Sequence, residues 1–161
     1  MQKLPDKTLL YSPSDLIRLV GSPFASWVKR YNLENRDRKI PADPDPEELK
    51  VLQDRGIAHE NDFLQALIDD GRDVYTVEVE GREPEDLAAE TLRAMEAGHE
   101  VIFQAYLSLP PFHGYADFLY KVPGPSNLGD HHYEPWDTKL ALSVKSYFMI
   151  QLCCYAELLE T

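Results

Sequence analysis

The chain has 161 residues, of which 43% are hydrophobic and 27% are charged, and its formal net charge is −12. This composition indicates a globular protein with one modest core, and its longest apolar run is too short and interrupted to cross a bilayer. The N-terminus lacks the apolar stretch of a secretory signal, so we expect a cytoplasmic protein. The acidic charge argues against a nucleic-acid binder that depends on bulk electrostatics, because such binding requires Lys and Arg.

The first 45 residues predict a helical segment followed by a Pro- and Asp-rich linker. Ser12 is a predicted N-cap, Pro13 takes the first helical position, and Asp15 is placed to complete a capping box. Residues 32–46 are charged and rich in proline, which is typical of a linker or loop. We therefore divide the chain into an N-terminal segment, 1–45, and a main domain.

The main domain, residues 46–161, predicts an α/β fold of the α+β type with a mixed sheet. In chain order its predicted elements are a helix at 47–70, a strand at 73–80, a helix at 84–97, strands at 101–109, 114–122 and 133–141, and a helix at 143–161 capped by Ser143. The strands joined through Pro110 and Pro111 predict an antiparallel pair, and residues 122–132 predict a loop. The last helix has no stop signal, which predicts that the sequence was cut from something longer.

Two of the predicted strands carry acidic residues in unusual positions. Successive side chains of a strand point to opposite faces, so Asp137 and Lys139 are predicted to share one face. Such a pair is most often a solvated salt bridge worth well under about 1 kcal/mol. Asp117, however, lies among apolar neighbours, where an isolated carboxylate costs several kcal/mol unless it is paired, protonated or bound to a metal.

Two predicted helices add polar residues to this set. His59 shares a helical face with apolar residues, and such a His is usually a satisfied core residue. Gly56 lies one turn earlier and costs roughly 1 kcal/mol of helix propensity, which suggests close packing at that turn. Gln151 and Tyr155 are four residues apart on one side of the last helix, where they form either an ordinary helix edge or one wall of a cleft.

Taken together, these elements resemble the RecB-like nucleases of the PD-(D/E)XK superfamily. The order of the elements is similar, and the similarity is strongest in the runs RGIAHE, GYADFLYKVPGPSNLGDHHYEPWDTKLA and QLCCYAELLE. Weaker similarity at YSPSDLIRL extends the resemblance over most of the chain. The resemblance implies a restriction-endonuclease-like core of one helix, three strands and a second helix, which here stops before the last core strand.

The resemblance also implies a divalent metal site. His59, Asp117 and Asp137 would be metal ligands together with the backbone carbonyl of Thr138, and Lys139 would orient or activate the attacking water. Asp117, Asp137 and Lys139 would then be the catalytic residues. Hard oxygen ligands of this kind suit Mg²⁺ or Mn²⁺.

Further expectations concern the residues around that site. Gln151 and Tyr155 would lie beside the path of a DNA partner, single- or double-stranded. Glu60 is left out of the metal site, because the helix turns it about 100° away from His59. Some relatives hold an iron-sulfur cluster whose first cysteine follows the N-terminal helix. Ser22 stands near that place, so we expect no cluster.

The function implied is a metal-dependent DNA nuclease domain that hydrolyses phosphodiester bonds. It would belong to a larger DNA repair or processing protein, in which a helicase or a second nuclease domain shares the chain. The alternative is a catalytically inactive nuclease fold that binds nucleic acid or a partner protein. The complete set of His59, Asp117, Asp137 and Lys139 favours the nuclease, and the missing last strand favours the binding module.

Overall fold

The computed structural model describes residues 1–4, 6–44, 46–141 and 143–160. Within these ranges the chain forms a mixed α/β fold with five α-helices, a four-stranded sheet and a short two-stranded ribbon. The helices are α1 (Pro13–Gly21), α2 (Pro23–Glu34), α3 (Glu47–Asp69), α4 (Pro84–Ala97) and α5 (Ser146–Leu159). The strands are β1 (Gln2–Lys3), β2 (Leu9–Leu10), β3 (Val74–Thr76), β4 (Val101–Leu109), β5 (Phe112–Ser126) and β6 (Gly129–Trp136).

The sheet has the strand order β3-β4-β5-β6, with β3 parallel to β4 and the remaining pairs antiparallel. Its strands present apolar side chains to helices on both faces. Phe103 and Phe118 pack with apolar side chains of α3, including Phe63. On the other face, residues of α4 and Tyr155 of α5 join the larger core cluster. The sheet therefore forms a middle layer, with α3 on one side and α4 and α5 on the other.

Within the described ranges, none of the helices combines the length and the continuous apolar character needed to span a lipid bilayer. The predicted helix starts and stops are largely confirmed. Ser12 and Asp15 form the predicted capping box, in which the Ser12 backbone nitrogen donates to Asp15 Oδ2 at 2.9 Å. The Ser12 hydroxyl also donates to that oxygen at 2.9 Å. Gly98 ends α4 with φ of 76°, a left-handed conformation that glycine adopts without strain.

The predicted loop at residues 122–132 is instead a β-hairpin. The antiparallel register continues through Pro123 paired with His131, then shifts before Ser126 pairs with Gly129. Backbone groups paired across two strands satisfy their hydrogen bonds, and this outweighs the local turn preference of Gly and Pro. The strand expected at 73–80 is also shorter in the structure, since only Val74–Thr76 pairs with β4.

The last predicted strand ends earlier than expected. β6 stops at Trp136, and the backbone nitrogen of Ala141 donates to the carbonyl of Lys139 at 2.9 Å, which is a tight turn and not an extended strand. The last helix begins at Ser146 with Lys145 as its N-cap, so the predicted cap at Ser143 is wrong. Its predicted end at residue 161 lies outside the described residues. The DTK segment is therefore a connection between β6 and α5.

Candidate active site

The register of the sheet brings two aspartates face to face. β5 pairs with β6 so that Phe118 lies opposite Trp136. Asp117 and Asp137 are each one residue further along, and an antiparallel register therefore sets them opposite one another. Their side chains are 16% and 4% exposed. Like charges at opposed positions repel, so this pair is unfavourable unless a cation or a proton accompanies it.

Lys139 supplies that positive charge. Its Nζ lies 2.7 Å from Asp137 Oδ1 and 3.8 Å from Asp117 Oδ2. β6 ends at Trp136, and the chain beyond it places the ammonium within reach of both carboxylates, so Lys139 contacts them without sharing a strand face with Asp137. Asp137 and Lys139 therefore lie together as expected, but not because they share one face of a strand.

Asp137 and Thr138 have buried polar atoms that lack hydrogen bonds. Both carboxylate oxygens of Asp137 and the hydroxyl of Thr138 are buried and have no hydrogen-bond partner among the described residues. The contact of Lys139 Nζ with Asp137 is close, but it lacks the angles of a hydrogen bond. Buried polar groups are nearly always hydrogen-bonded in folded proteins, so this cluster is of the kind that marks a binding site.

Burial raises the pKa of Asp117 to about 8, and the adjacent Asp137 carboxylate adds to the shift. Glu60 acts in the same direction, whereas the ammonium of Lys139 opposes it. Because two neighbouring carboxylates resist ionising together, these surroundings favour the protonated form of Asp117.

The helix α3 directs Glu60 toward this centre. Glu60 is half-buried, and Gln104 Nε2 donates to its Oε1 at 2.6 Å. Burial raises the pKa of Glu60, the hydrogen bond and Lys139 oppose that shift, and Asp137 reinforces it. The structure therefore directs Glu60 toward the acidic pair, and its exclusion from the metal ligands stays a prediction. A signal was present in the sequence, because Glu60 precedes Leu64 by four residues and Leu67 by seven, and both pack against the sheet.

No group of three or more His, Cys, Asp or Glu side chains within the described ranges is arranged to hold a metal ion. The structure therefore brings Asp117, Asp137 and Lys139 together but does not add His59 to them as a third ligand. Mg²⁺ usually keeps several waters and is bound through one or two carboxylates plus substrate phosphates. The two aspartates fit that mode, since both oxygens of Asp137 lack hydrogen bonds. Thr138 follows Asp137 in sequence, and the expected role of its carbonyl as a metal ligand stays a prediction.

The residues expected to line a nucleic-acid path occupy different environments. Tyr155 is only 5% exposed and belongs to the larger core cluster. Burial raises its pKa, and the charge of Asp117 adds to the shift, so the ring lies within electrostatic range of the acidic pair. Gln151 is half-buried one turn earlier on α5. Tyr155 therefore supports the site from within the core and does not offer a free ring to a nucleic acid.

Two carboxylates and one ammonium in a largely buried position can hold a divalent cation beside a phosphate ester. The carboxylates supply hard oxygen donors, and the ammonium can neutralise charge on a phosphoryl oxygen. Neither property requires His59. No protein family model, curated protein or solved structure matches this chain closely enough to assign it to a family.

Proposed function

We propose that this chain is a RecB-like nuclease domain with a PD-(D/E)XK core, and that it hydrolyses DNA phosphodiester bonds with Mg²⁺ or Mn²⁺. The observation that carries the proposal is the convergence of Asp117, Asp137 and Lys139 at one end of the β5-β6 pair. Helix α3, antiparallel strands β4 to β6 and helix α5 occur in the order of the core implied by the resemblance, with β3 and α4 between α3 and β4, and this order supports the proposal.

The chemistry of the proposed reaction follows from these side chains. Water adds to phosphorus, one ester P–O bond breaks, and the proton of the water passes to the departing oxygen. A bound Mg²⁺ or Mn²⁺ would lower the pKa of its water and neutralise phosphate charge. Asp117 and Asp137 would hold that ion, and the ammonium of Lys139 would stabilise the negative charge that builds on the phosphoryl oxygens.

A nuclease must also bind a polyanion, and the charge of this chain is unevenly distributed. Residues 1–40 contain eight Lys and Arg against four Asp and Glu, a net charge of +4. The remaining 121 residues contain eight against 24, a net charge of −16. Residues 1–40 are therefore the part of the chain that attracts phosphates, even though the whole molecule is acidic.

Helix α2 of this basic segment presents an aromatic ladder, which we define as Phe24, Trp27 and Tyr31. Neighbouring rings of the ladder stack with centroids 6.0 and 5.3 Å apart and interplanar angles of 21° and 28°. Phe24 is 70% exposed and Trp27 is 53% exposed. Exposed aromatic rings within a basic segment are typical of surfaces that stack the bases of single-stranded nucleic acid.

Cleavage assays test the proposal. Single- and double-stranded DNA, labelled at the 5′ end, would be incubated with the protein and Mg²⁺ or Mn²⁺. We expect metal-dependent cleavage that falls by about 10²-fold or more in Lys139→Ala and Asp137→Asn, because each removes a charge from the reacting centre. Lys50→Ala is the matched control, since Lys50 is exposed near the start of α3. Cleavage by Lys139→Ala at the rate of the parent would refute the mechanism.

A binding module that does not cut is the second candidate function. It is favoured by the finding that the described residues provide no group of three metal-binding side chains. Fluorescence anisotropy with labelled single-stranded DNA in EDTA measures binding, and together with the cleavage assay it separates the two candidates. Binding without cleavage at any Mg²⁺ or Mn²⁺ concentration supports the module, whereas cleavage that depends on Lys139 supports the nuclease.

A further inference from the structure

Gln104 has a backbone conformation that is unusual for a strand. It lies in the middle of β4, yet its φ is +57°, in the left-handed region that favours glycine. The ladder between β4 and β5 pairs the residues on either side of Gln104 with those on either side of Asp117, but it skips the Gln104–Asp117 pair itself. Non-glycine residues are held in this region only where the surrounding structure compensates.

This conformation changes the direction of the Gln104 side chain. Its neighbour Phe103 packs on the α3 side of the sheet, in the cluster that includes Phe63. In a regular strand the next side chain would point to the opposite face, away from α3. The Gln104 amide instead reaches α3 and donates to Glu60 at 2.6 Å. The left-handed residue therefore places two successive side chains of β4 on the same face.

We propose that Gln104 is a positioning residue whose left-handed backbone aims its amide at Glu60 and holds that carboxylate beside Asp117, Asp137 and Lys139. The relevance of this role to catalysis rests on the proposed nuclease function. Gln104 lies on β4 at the position opposite Asp117 of β5, so one hydrogen bond connects α3 to the strand beside the one that carries Asp117. Gln104 itself reaches no reacting atom and acts through Glu60.

Two substitutions separate the contribution of the backbone conformation to stability from that of the amide hydrogen bond. Gln104→Ala and Gln104→Gly both remove the hydrogen bond, but only alanine retains the cost of a left-handed φ. We expect the glycine variant to have the higher Tm of the two in EDTA. In an ordinary strand position the order is reversed, because glycine loses more backbone freedom on folding. A higher Tm for alanine would overturn the inference.

Kinetics distinguish positioning from general stability. If Gln104 positions Glu60, both variants lose a similar part of kcat, on the order of tenfold, with KM unchanged. A merely stabilising residue would give the glycine variant the higher kcat together with the higher Tm, and that result would overturn the proposal. Gln104→Glu, which keeps the length but cannot donate to a carboxylate, is expected to lose kcat as well.

A double-mutant cycle of Gln104→Ala with Glu60→Ala, which removes the acceptor, completes the test. In unfolding experiments the two single substitutions should be non-additive, because each removes the same hydrogen bond. Additive effects would overturn the inference. The cycle and the Tm order are measured without DNA or metal, so they decide the placement of Glu60 even if the protein does not cut DNA and the proposed function fails. Unchanged kcat in a protein that does cut refutes only the role of Gln104.

Discussion

Asp15, which is buried, and Asp117, which is partly buried, have opposite surroundings. Asp15 lies in the capping box of α1, where Lys29 Nζ approaches its carboxylate to 2.5 Å. Burial raises the pKa of Asp15, but hydrogen bonds from Lys29, from the α-amino group of Met1 and from Ser12 outweigh burial and hold the pKa well below its usual range. At Asp117 the neighbouring acids reinforce burial, and the pKa rises to about 8. The surroundings of Asp15 therefore stabilise its negative charge, whereas the surroundings of Asp117 disfavour a negative charge there.

The raised pKa of Asp117 makes stability depend on pH. In the unfolded chain this carboxyl has a pKa of about 3.9, so between about pH 4 and pH 8 the folded state binds more protons than the unfolded state. The free energy of unfolding therefore falls as pH rises through this window. We expect the Tm of Asp117→Asn relative to the parent to increase from pH 5 to pH 9, in thermal melts with EDTA.

Asp62→Asn is the matched control for this comparison. Asp62 is an exposed residue of α3, so its substitution changes net charge by the same amount without touching the acidic pair. Its Tm difference from the parent should stay small at both pH values. Equal pH trends in Asp117→Asn and Asp62→Asn would show that the carboxyl of Asp117 is not buried beside like charges.

At the scale of elements, β5 is closely packed where α1 and α5 meet it. A Cβ built at Gly114 would lie 2.8 Å from Tyr155 Cε1 and 3.0 Å from Pro13 Cδ. We expect Gly114→Ala to lower the free energy of unfolding by about 1–3 kcal/mol, because overpacking forces neighbouring groups to move. Urea unfolding of both proteins measures the difference.

Gly56→Ala is the control for this substitution, and it corrects an expectation. Close packing was expected at Gly56, but a Cβ there meets no described atom within 4 Å beyond its own helix backbone. Alanine in a helix interior should therefore stabilise the protein by about 0.5–1 kcal/mol. The two substitutions add the same methyl group, so opposite signs are expected. Destabilisation by Gly56→Ala would restore the original expectation.

For the whole molecule, the uneven charge distribution predicts where single-stranded DNA binds. Trp27 is the middle ring of the aromatic ladder on α2. We expect Trp27→Ala to cost about 1–3 kcal/mol of binding free energy, a loss of roughly 5- to 150-fold in affinity, because one base loses its stacking partner. Fluorescence anisotropy in EDTA measures the affinity without cleavage.

The control for this prediction is Leu92→Ala. Leu92 is an equally exposed apolar residue, but it lies on α4, in the acidic part of the chain. Its loss should leave the affinity for DNA unchanged. If Trp27→Ala and Leu92→Ala bind single-stranded DNA as tightly as the parent, the ladder is not a base-stacking surface.

Local patterns predicted much of the secondary structure. The capping box of α1, the bounds of α3 and α4, and the antiparallel pairing of β4 with β5 follow from residues close together in sequence. The strand predicted from alternation is wrong beyond Trp136, because an acid and a base spaced two residues apart can occur both in a strand and in a turn. The hairpin at 122–132 was missed, because Gly and Pro preferences are local while strand pairing is not.

The sequence by itself determined that Asp117 lies in an apolar strand and that Asp137 and Lys139 belong to one short segment. Only the tertiary structure decided that the strand register sets the two aspartates opposite one another, that the segment after β6 places the lysine near both, and that α3 directs Glu60 toward them. The reason is physical. Register and helix rotation depend on which side chains pack across the sheet, and that packing involves residues far apart in the chain.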